Sequence, residues 1–233
     1  MLYLNFQIGT MVVGIKIMMN EHLFLRNPED SVLGRKIVKH GLELINKLGF
    51  ENFTFKKLAE YINTTEAGIY RYFENKHRLL VYLITWYWSC LEYKVIYSTN
   101  NIYDPKVKIK KIVAILTAND DLNLPMDYID ERLAANLAMI EGSKAYLTRQ
   151  VDKDNQSRLF KPYKDLCNQI AAVIKELNPQ YQFAHSLATT LVETSQSQKY
   201  FMTHLPALTD FGKQKSDKRL LSFLETLIFD STK

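Results

Sequence analysis

Glycine and proline are scarce in this sequence, with 8 and 6 residues of 233, and the alternating apolar pattern of β-strands is hard to find. Both residues interrupt regular structure, so their scarcity indicates a mostly helical chain. Two cysteines, Cys90 and Cys167, are too few for a disulfide framework or a cysteine metal site, and they favour a reducing cytoplasm. Each is equally well explained as a small buried apolar residue.

A long apolar run is also missing. The stretch 6–19 is rich in apolar residues but contains Gln7, Thr10 and Lys16, and it is too short to span a bilayer. It has no basic flank and no small-residue cleavage site of a secretory signal. We interpret residues 1–29 as a poorly ordered extension, or in part as sequence upstream of a start at Met18 or Met19. A membrane anchor is the alternative.

The composition that remains suits a folded protein with one basic region. Hydrophobic residues make up 47% and charged residues 24%, enough to bury a core. Residues 31–84 hold nine basic and five acidic side chains, a net charge of +4, whereas the whole chain carries +5. A basic module on a nearly neutral body suits a polyanionic partner, and a solvated lysine-rich surface is the plainer alternative.

Residues 30–80 carry the signals of three short helices. A first helix is expected from Asp30 or Ser31 to Leu48, closed by Gly49 in a left-handed conformation. Thr54 can cap a second helix, and Asn63 suits the tight turn that follows it. Thr64 or Thr65 then caps a third helix over residues 66–73, in which Ile69 and Phe73 turn inward. The outward residues are Thr65, Glu66, Gly68, Tyr70 and Arg71.

This module resembles the helix-turn-helix of the TetR family of bacterial transcriptional regulators. The resemblance rests on Leu58-Ala59, a turn with a capping threonine, and the run 69–76, Ile-Tyr-Arg-Tyr-Phe-Glu-Asn-Lys, closed by Leu79-Leu80. The sequence departs from the family pattern at Asn63, where glycine is common, and at Gly68, where threonine is frequent. The resemblance implies an all-α protein, with a DNA-binding domain at 30–80 and a helical ligand-binding and dimerisation domain at 81–233.

The resemblance also implies which side chains meet DNA. Those expected at base edges in the major groove are Lys56, Glu66, Ala67, Gly68, Tyr70 and Arg71. Those expected at phosphates are Thr54, Thr65, Tyr72 and Lys76. Arg71 is the strongest candidate for reading guanine, with a phosphate contact as its alternative. Glu66 is equally well explained as an acidic residue favoured at a helix start.

The rest of the chain predicts further helices over 75–99, 129–151, 154–177, 183–204 and 216–229, another after Asp104-Pro105, and a loop over 119–125. In the resembling family the last two helices meet their copies across a two-fold axis, which implies a homodimer. The residues expected at that interface are Ala184, Leu187, Leu191, Ser195, Leu220, Leu224, Leu227 and Ile228. Packing of both helices within one chain is the alternative.

The family places its effector among the middle helices, and the side chains there are mostly apolar or aromatic. Residues that could line such a pocket are Trp88, Leu91, Leu116, Leu137, Ile140, Tyr146 and Cys167, each also explained as plain core. They favour an apolar or aromatic small molecule.

An enzyme finds little support in the sequence. The five histidines show no metal-ligand spacing, and a phosphate-binding glycine loop and a nucleophile elbow are missing. We therefore expect no catalysis, no metal and no cofactor. The sequence predicts a ligand-responsive regulator, most simply a repressor, that binds a near-palindromic operator as a homodimer. The alternative is a non-catalytic helical module that binds other proteins.

Overall fold

The computed structural model describes residues 3–4, 15–118, 128–212 and 216–233, and helices dominate it. The described residues form eleven α-helices. In chain order they are α1 (Val32–Leu48), α2 (Phe55–Tyr61), α3 (Glu66–Tyr70), α4 (Lys76–Thr99), α5 (Pro105–Leu116), α6 (Glu131–Glu141), α7 (Ser143–Tyr146), α8 (Val151–Gln156), α9 (Lys161–Leu177), α10 (Ala184–His204) and α11 (Asp217–Ser231). Two two-residue strands, β1 (Tyr3–Leu4) and β2 (Ile15–Lys16), pair antiparallel. The predicted all-α fold is confirmed.

The chain divides into two compact units. The first lies within Met1–Tyr87 and Asn123–Phe160, and the second within Trp88–Leu122 and Lys161–Lys233. Helix α4 contributes its first half to one unit and its second half to the other. This division differs from the predicted boundary at residue 80, because α6, α7 and α8 fall in the unit that contains α1–α3.

The first three helices begin and end where their capping residues lie. The Ser31 hydroxyl accepts a bond from the Gly34 amide at 2.9 Å, and Gly49 closes α1 with φ of 75°. Thr54 caps α2 in the same way, and Asn63 has the left-handed φ of 60° that the sequence predicted. Helix α3 is shorter than the predicted 66–73, because only its first five residues keep helical bonding.

Residues 17–30 have a defined place in the first unit. Leu23 is fully buried, and the Leu25 amide donates to the Tyr72 carbonyl at 2.8 Å. The Asn20 side chain donates to the Ser157 carbonyl at 2.9 Å. For this part of the predicted extension the structure shows order, because buried apolar contacts and backbone hydrogen bonds hold it.

The two helices predicted over 129–151 and 154–177 are wrong in their boundaries. Helix α7 ends at Tyr146 and is capped by Leu147, which is 76% exposed, and α8 ends in a Schellman motif. There Arg158 takes φ of 58°, its amide bonds the Asn155 carbonyl at 2.9 Å, and the Leu159 amide bonds the Asp154 carbonyl at 3.1 Å. Arginine rarely adopts a left-handed backbone conformation, so the sequence predicted a helix that continues through position 158.

The second unit packs α5, α9, α10 and α11 around an apolar centre. Asp104 caps α5, the helix predicted after Asp104-Pro105, and Asn178 with Pro179 follows the end of α9. Fully buried side chains come from each of the four helices, among them Ile112, Ile170, Leu191 and Leu224. The loop that the sequence predicts at 119–125 lies outside the described residues.

Candidate nucleic-acid interface

Helix α3 presents one face to solvent and buries the other. Ile69 on its inner side and Phe73 just beyond it are fully buried, as predicted. The helix starts at Thr65, whose hydroxyl accepts a bond from the Gly68 amide at 3.1 Å. A five-residue helix has little stability of its own, so this cap and the buried Ile69 fix its position.

The outward face carries the side chains that the sequence predicted for base contacts. Lys56, Glu66, Ala67, Tyr70 and Arg71 are exposed, and Gly68 is half-buried. The Tyr70 ring packs edge-on against Phe55 at 5.1 Å between centroids, which holds this half-exposed aromatic ring in place. The structure thus brings hydrogen-bond donors and acceptors together on one solvent-facing surface, as groove recognition requires.

Gly68 leaves little room for a larger residue. A Cβ built there would lie 3.1 Å from the Thr64 hydroxyl oxygen and 3.4 Å from that of Thr65. The departure from the family pattern at this position therefore fits a tight local packing of the two threonines.

The four residues predicted at phosphates fall into two pairs. Thr54 and Thr65 are exposed helix caps, and their hydroxyls accept backbone bonds while keeping a hydrogen to donate. Tyr72 is 2% exposed, and its hydroxyl pairs with the Ser31 hydroxyl at 2.7 Å. The Lys76 ammonium points inward and donates to three backbone carbonyls. In this structure the second pair is therefore engaged inside the module.

The residues predicted to line an effector pocket are divided between the two units. Trp88, Leu91, Leu116 and Cys167 belong to the second unit, and Leu137, Ile140 and Tyr146 to the first. Ile140 is 44% exposed, whereas Trp88 is buried with its ring 4.9 Å from that of Tyr163. Burial raises the pKa of the Cys167 thiol, which favours its neutral form. These seven residues remain a prediction as a ligand site.

The predicted dimer residues lie inside the second unit. All but the half-buried Leu227 are buried, among them Ala184, Leu187, Leu191, Ser195, Leu220, Leu224 and Ile228. Helix α10 packs them against α9 and α11 of the same chain. Side chains buried within one chain are not available to a second copy, so an interface on these helices would use their other faces.

An open groove lies on such a face of α11. It has a volume of about 430 Å³ and is lined by Asp210, Phe211, Arg219, Ser222, Phe223 and Thr226. The rings of Phe211 and Phe223 are 5.7 Å apart, and Phe223 is 39% exposed. Leu205 and Leu208, between α10 and α11, are more exposed still, at 46% and 60%.

Two buried acidic residues support the helix-turn-helix and were missed in the sequence. Glu141, at the end of α6, accepts a bond from the Phe50 amide at 3.2 Å, and its other oxygen pairs with Lys144 at 2.9 Å. Asp154 in α8 is fully buried, 2.8 Å from the Arg78 guanidinium at the start of α4. Glu141 could have been identified from the sequence, because an acidic residue within or beside an apolar run, here residues 137–140, is a candidate for burial. Asp154 has no comparable signal.

Within the described residues, no helix has the length and apolar character needed to cross a membrane. The same residues contain no group of three or more side chains arranged to hold a metal ion.

Comparisons with known proteins agree with this geometry. Residues 37–83 match the sequence profile of the family described as bacterial regulatory proteins, tetR family. No curated protein is significantly similar in sequence to the chain.

Solved structures share the fold at low sequence identity. A tetR-family regulatory protein from Rhodococcus RHA1 superposes with a TM-score of 0.62 at 10% identity, over 87% of this chain and 97% of its own. AibR in complex with isovaleryl coenzyme A and operator DNA gives 0.58 at 13% identity, over 84% and 98%. The fatty acid degradation regulator FadR from Bacillus halodurans gives 0.58 at 16% identity, over 83% and 92%. The likeness extends beyond the helix-turn-helix to nearly the whole length of these proteins.

Proposed function

Because its N-terminal module belongs to the TetR family of bacterial regulatory proteins, we propose that this chain is a ligand-responsive repressor. In this proposal it binds a near-palindromic operator as a homodimer, a small molecule releases it, and it has no catalytic role. A regulator of this kind works where its DNA lies, so the proposal includes the bacterial cytoplasm.

The observation that carries the proposal is the exposed face of α3. Tyr70 and Arg71 are exposed to solvent, as is Lys56 of α2, while Ile69 on the opposite side of α3 is fully buried. An exposed aromatic and cationic surface on a capped short helix has little use for folding. It provides donors for guanine and phosphate oxygens, and a well-placed arginine discriminates between bases by about 1–3 kcal/mol.

Within this proposal, Arg71, Tyr70, Glu66, Ala67, Gly68 and Lys56 face the major groove. Thr54 and Thr65 donate their hydroxyls to phosphates, where the first amides of α2 and α3 add a favourable field. Tyr72 and Lys76 are not assigned to phosphates, since their polar groups already have partners within the module.

A second copy of the chain is proposed to pack on the exposed side of α10 and α11. Leu205, Leu208 and Phe223 are apolar and exposed there, beside the groove at Phe211. Two recognition helices must be about 34–36 Å apart to enter successive major grooves, which a symmetric dimer provides. We expect Leu208→Glu combined with Phe223→Glu to give a monomer in sedimentation, and Val107→Glu, at an exposed apolar position of α5, to leave the dimer intact.

The effector is proposed to be a small apolar or aromatic molecule. The buried aromatic and aliphatic side chains of the second unit, Trp88, Leu91 and Leu116 among them, suit such a ligand. The first panel to test for release of DNA consists of small apolar and aromatic molecules. Because AibR was solved with isovaleryl coenzyme A, which joins an apolar acyl group to a large anionic carrier, short-chain acyl-coenzyme A thioesters are tested separately.

The test of DNA binding is selection of bound fragments from a bacterial genomic pool, followed by titration of the recovered fragment. Arg71→Ala should weaken binding and alter the preferred base at one position of each half-site. Arg149→Ala is the matched control, because Arg149 is also an exposed arginine but lies between α7 and α8. Failure of the wild-type protein to retain any fragment, together with retention of a partner protein, would favour the protein-interaction alternative.

A further inference from the structure

The turn between α1 and α2, residues 49–53, is held by hydrogen bonds to its backbone carbonyl oxygens. The Phe53 amide bonds the Gly49 carbonyl at 3.1 Å, and the Lys57 ammonium bonds that of Asn52 at 2.8 Å. The carbonyls of Phe50, Glu51 and Phe53 all accept from Lys76, at 2.9, 3.1 and 3.1 Å. Every carbonyl of the turn therefore has a donor, and one ammonium supplies three of them.

Lys76 stands at the first position of α4, where a positive charge is disfavoured by the helix dipole. Its side chain turns back to the 49–53 turn instead of into solvent, and the ammonium also lies 4.7 Å from the centre of the Phe50 ring. An ammonium has three hydrogens, and here three carbonyls take them. A phosphate would have to displace one of these bonds.

The same turn is held from a second direction. Glu141 of α6 accepts from the Phe50 amide, and Lys144 of α7 pairs with the Glu51 carboxylate at 2.7 Å. Phe50 and Phe53 are buried beneath it. The turn ends at Phe53, directly before Thr54, which caps α2, so its geometry sets where α2 begins.

We propose that Lys76 is a positioning residue for DNA recognition: it fixes the 49–53 turn, and through it the angle of α2 and α3, and it makes no phosphate contact. This inference rests on the proposed function, because its readout is DNA binding. It assigns to Lys76 a role opposite to the phosphate contact that the sequence predicted. A positive charge at position 76 is then not sufficient for DNA recognition, because three converging carbonyls require a compact ammonium.

The test compares Lys76→Met, Lys76→Arg and Lys56→Met with the wild-type protein. Affinity for the selected DNA fragment is measured against salt concentration, at a temperature where circular dichroism shows each protein fully folded. Lys56→Met is the comparison variant, since it removes an exposed positive charge that the proposed function places against the DNA, and we expect it to reduce the salt slope. Loss of one phosphate contact lowers the slope of log affinity against log salt by about 0.9.

We expect both Lys76 variants to lose affinity by about tenfold or more, equivalent to about 1.4 kcal/mol, with an unchanged salt slope. Arginine should not rescue, because its planar guanidinium cannot direct three donors from one point. If Lys76→Arg binds DNA like the wild type, or if Lys76→Met has a salt slope reduced by about 0.9, then Lys76 contacts a phosphate. Either result would overturn the inference. If a Lys76 variant is folded but less stable and binds DNA with unchanged affinity, Lys76 contributes to stability alone, and the inference is again overturned.

Two further measurements keep the outcomes separate. If Lys76→Met does not fold, Glu141→Leu replaces it, because this variant removes the acceptor of the Phe50 amide and loosens the same turn from α6; it should lower affinity without changing the slope. An unaltered affinity in folded Glu141→Leu then counts against the inference. If the wild-type protein itself retains no DNA, the proposed function fails before position 76 is tested.

Discussion

The pair of Arg78 and Asp154 offers a sharp test of how the first unit is held together. The Asp154 side chain is fully buried in α8, and the Arg78 side chain in α4 is 16% exposed. Their closest atoms, Nη1 and Oδ1, are 2.8 Å apart. The bond is poorly aligned for a hydrogen bond, since none of these buried atoms has a well-oriented partner. Attraction of charges at short range is therefore the main interaction.

The magnitude follows from what each substitution leaves behind. Removing one partner of a buried ion pair costs about 3–5 kcal/mol, because the other charge stays desolvated. Arg78→Met leaves the carboxylate of Asp154 with no exposure at all. Asp154→Asn leaves a guanidinium that is partly exposed and has Glu74 at 3.9 Å. We therefore expect Arg78→Met to lower the free energy of unfolding by the larger amount, near the upper end of that range.

The double variant Arg78→Met with Asp154→Leu removes both charges and fills the space with apolar groups. Such exchanges are often neutral or stabilising, by about 1–4 kcal/mol, so it should recover most of the loss. The assay is urea unfolding followed by circular dichroism, with the denaturant slope compared to confirm that the same surface unfolds.

Single variants that both stay within about 0.5 kcal/mol of the wild type, the range of ordinary surface substitutions, would refute this reasoning. A double variant that is less stable than either single variant would also refute it, because removing both charges would then destabilise the protein more than leaving one charge buried and unpaired.

Three other perturbations act within the same unit. Burial lowers the pKa of His77 from 6.5, and Arg78 lowers it further, whereas Asp154 raises it. The folded state therefore binds the proton less tightly than the unfolded state, so the stability of the protein falls as the pH drops through and below 6.5. We expect His77→Gln to flatten that decline in thermal unfolding curves. Gly49→Ala should cost about 1–3 kcal/mol in urea unfolding, because φ of 75° and ψ of 152° suit only glycine, although the added Cβ would meet no atom within 4 Å; an unchanged stability would show that the turn relaxes. Thr65→Val should cost about 1 kcal/mol by removing the cap of α3, with Thr203→Val, on an exposed helix position, as the control measured beside it.

Local features of the helix-turn-helix were predictable from the sequence because their causes are local. Ser31, Thr54 and Thr65 cap helices through bonds that span three residues, and Gly49 and Asn63 take left-handed backbones that few other residues tolerate. The exposed face of α3 follows from the same short-range pattern, since burying Ile69 sends its neighbours outward.

Features set by partners distant in the sequence were not predictable in this way. Helical periodicity showed that Leu187, Leu191 and Leu224 are apolar positions, but it could not tell a partner in the same chain from a partner in a second copy. The break at Arg158 had no signal, because an arginine occupies the left-handed position that glycine or asparagine usually takes. The carbonyl partners of Lys76 lie 23–26 residues earlier, so its hydrogen bonds could not be predicted from the residues next to it.

These distant partners bear on how a signal reaches the DNA-binding surface. Glu141 of α6, Lys144 of α7 and Asp154 of α8 hold the 49–53 turn and the start of α4, and all three come from the segment 131–160. That segment follows α5 of the second unit in the chain, yet it packs in the unit of α1–α3. A displacement of α6 by about 1–2 Å, the scale of helix shifts in switching proteins, would exceed the tolerance of the 3.2 Å bond from Phe50 to Glu141. If the chain releases an operator as proposed, that release would require no unfolding of α3, only the loss of the bonds that fix the turn before α2.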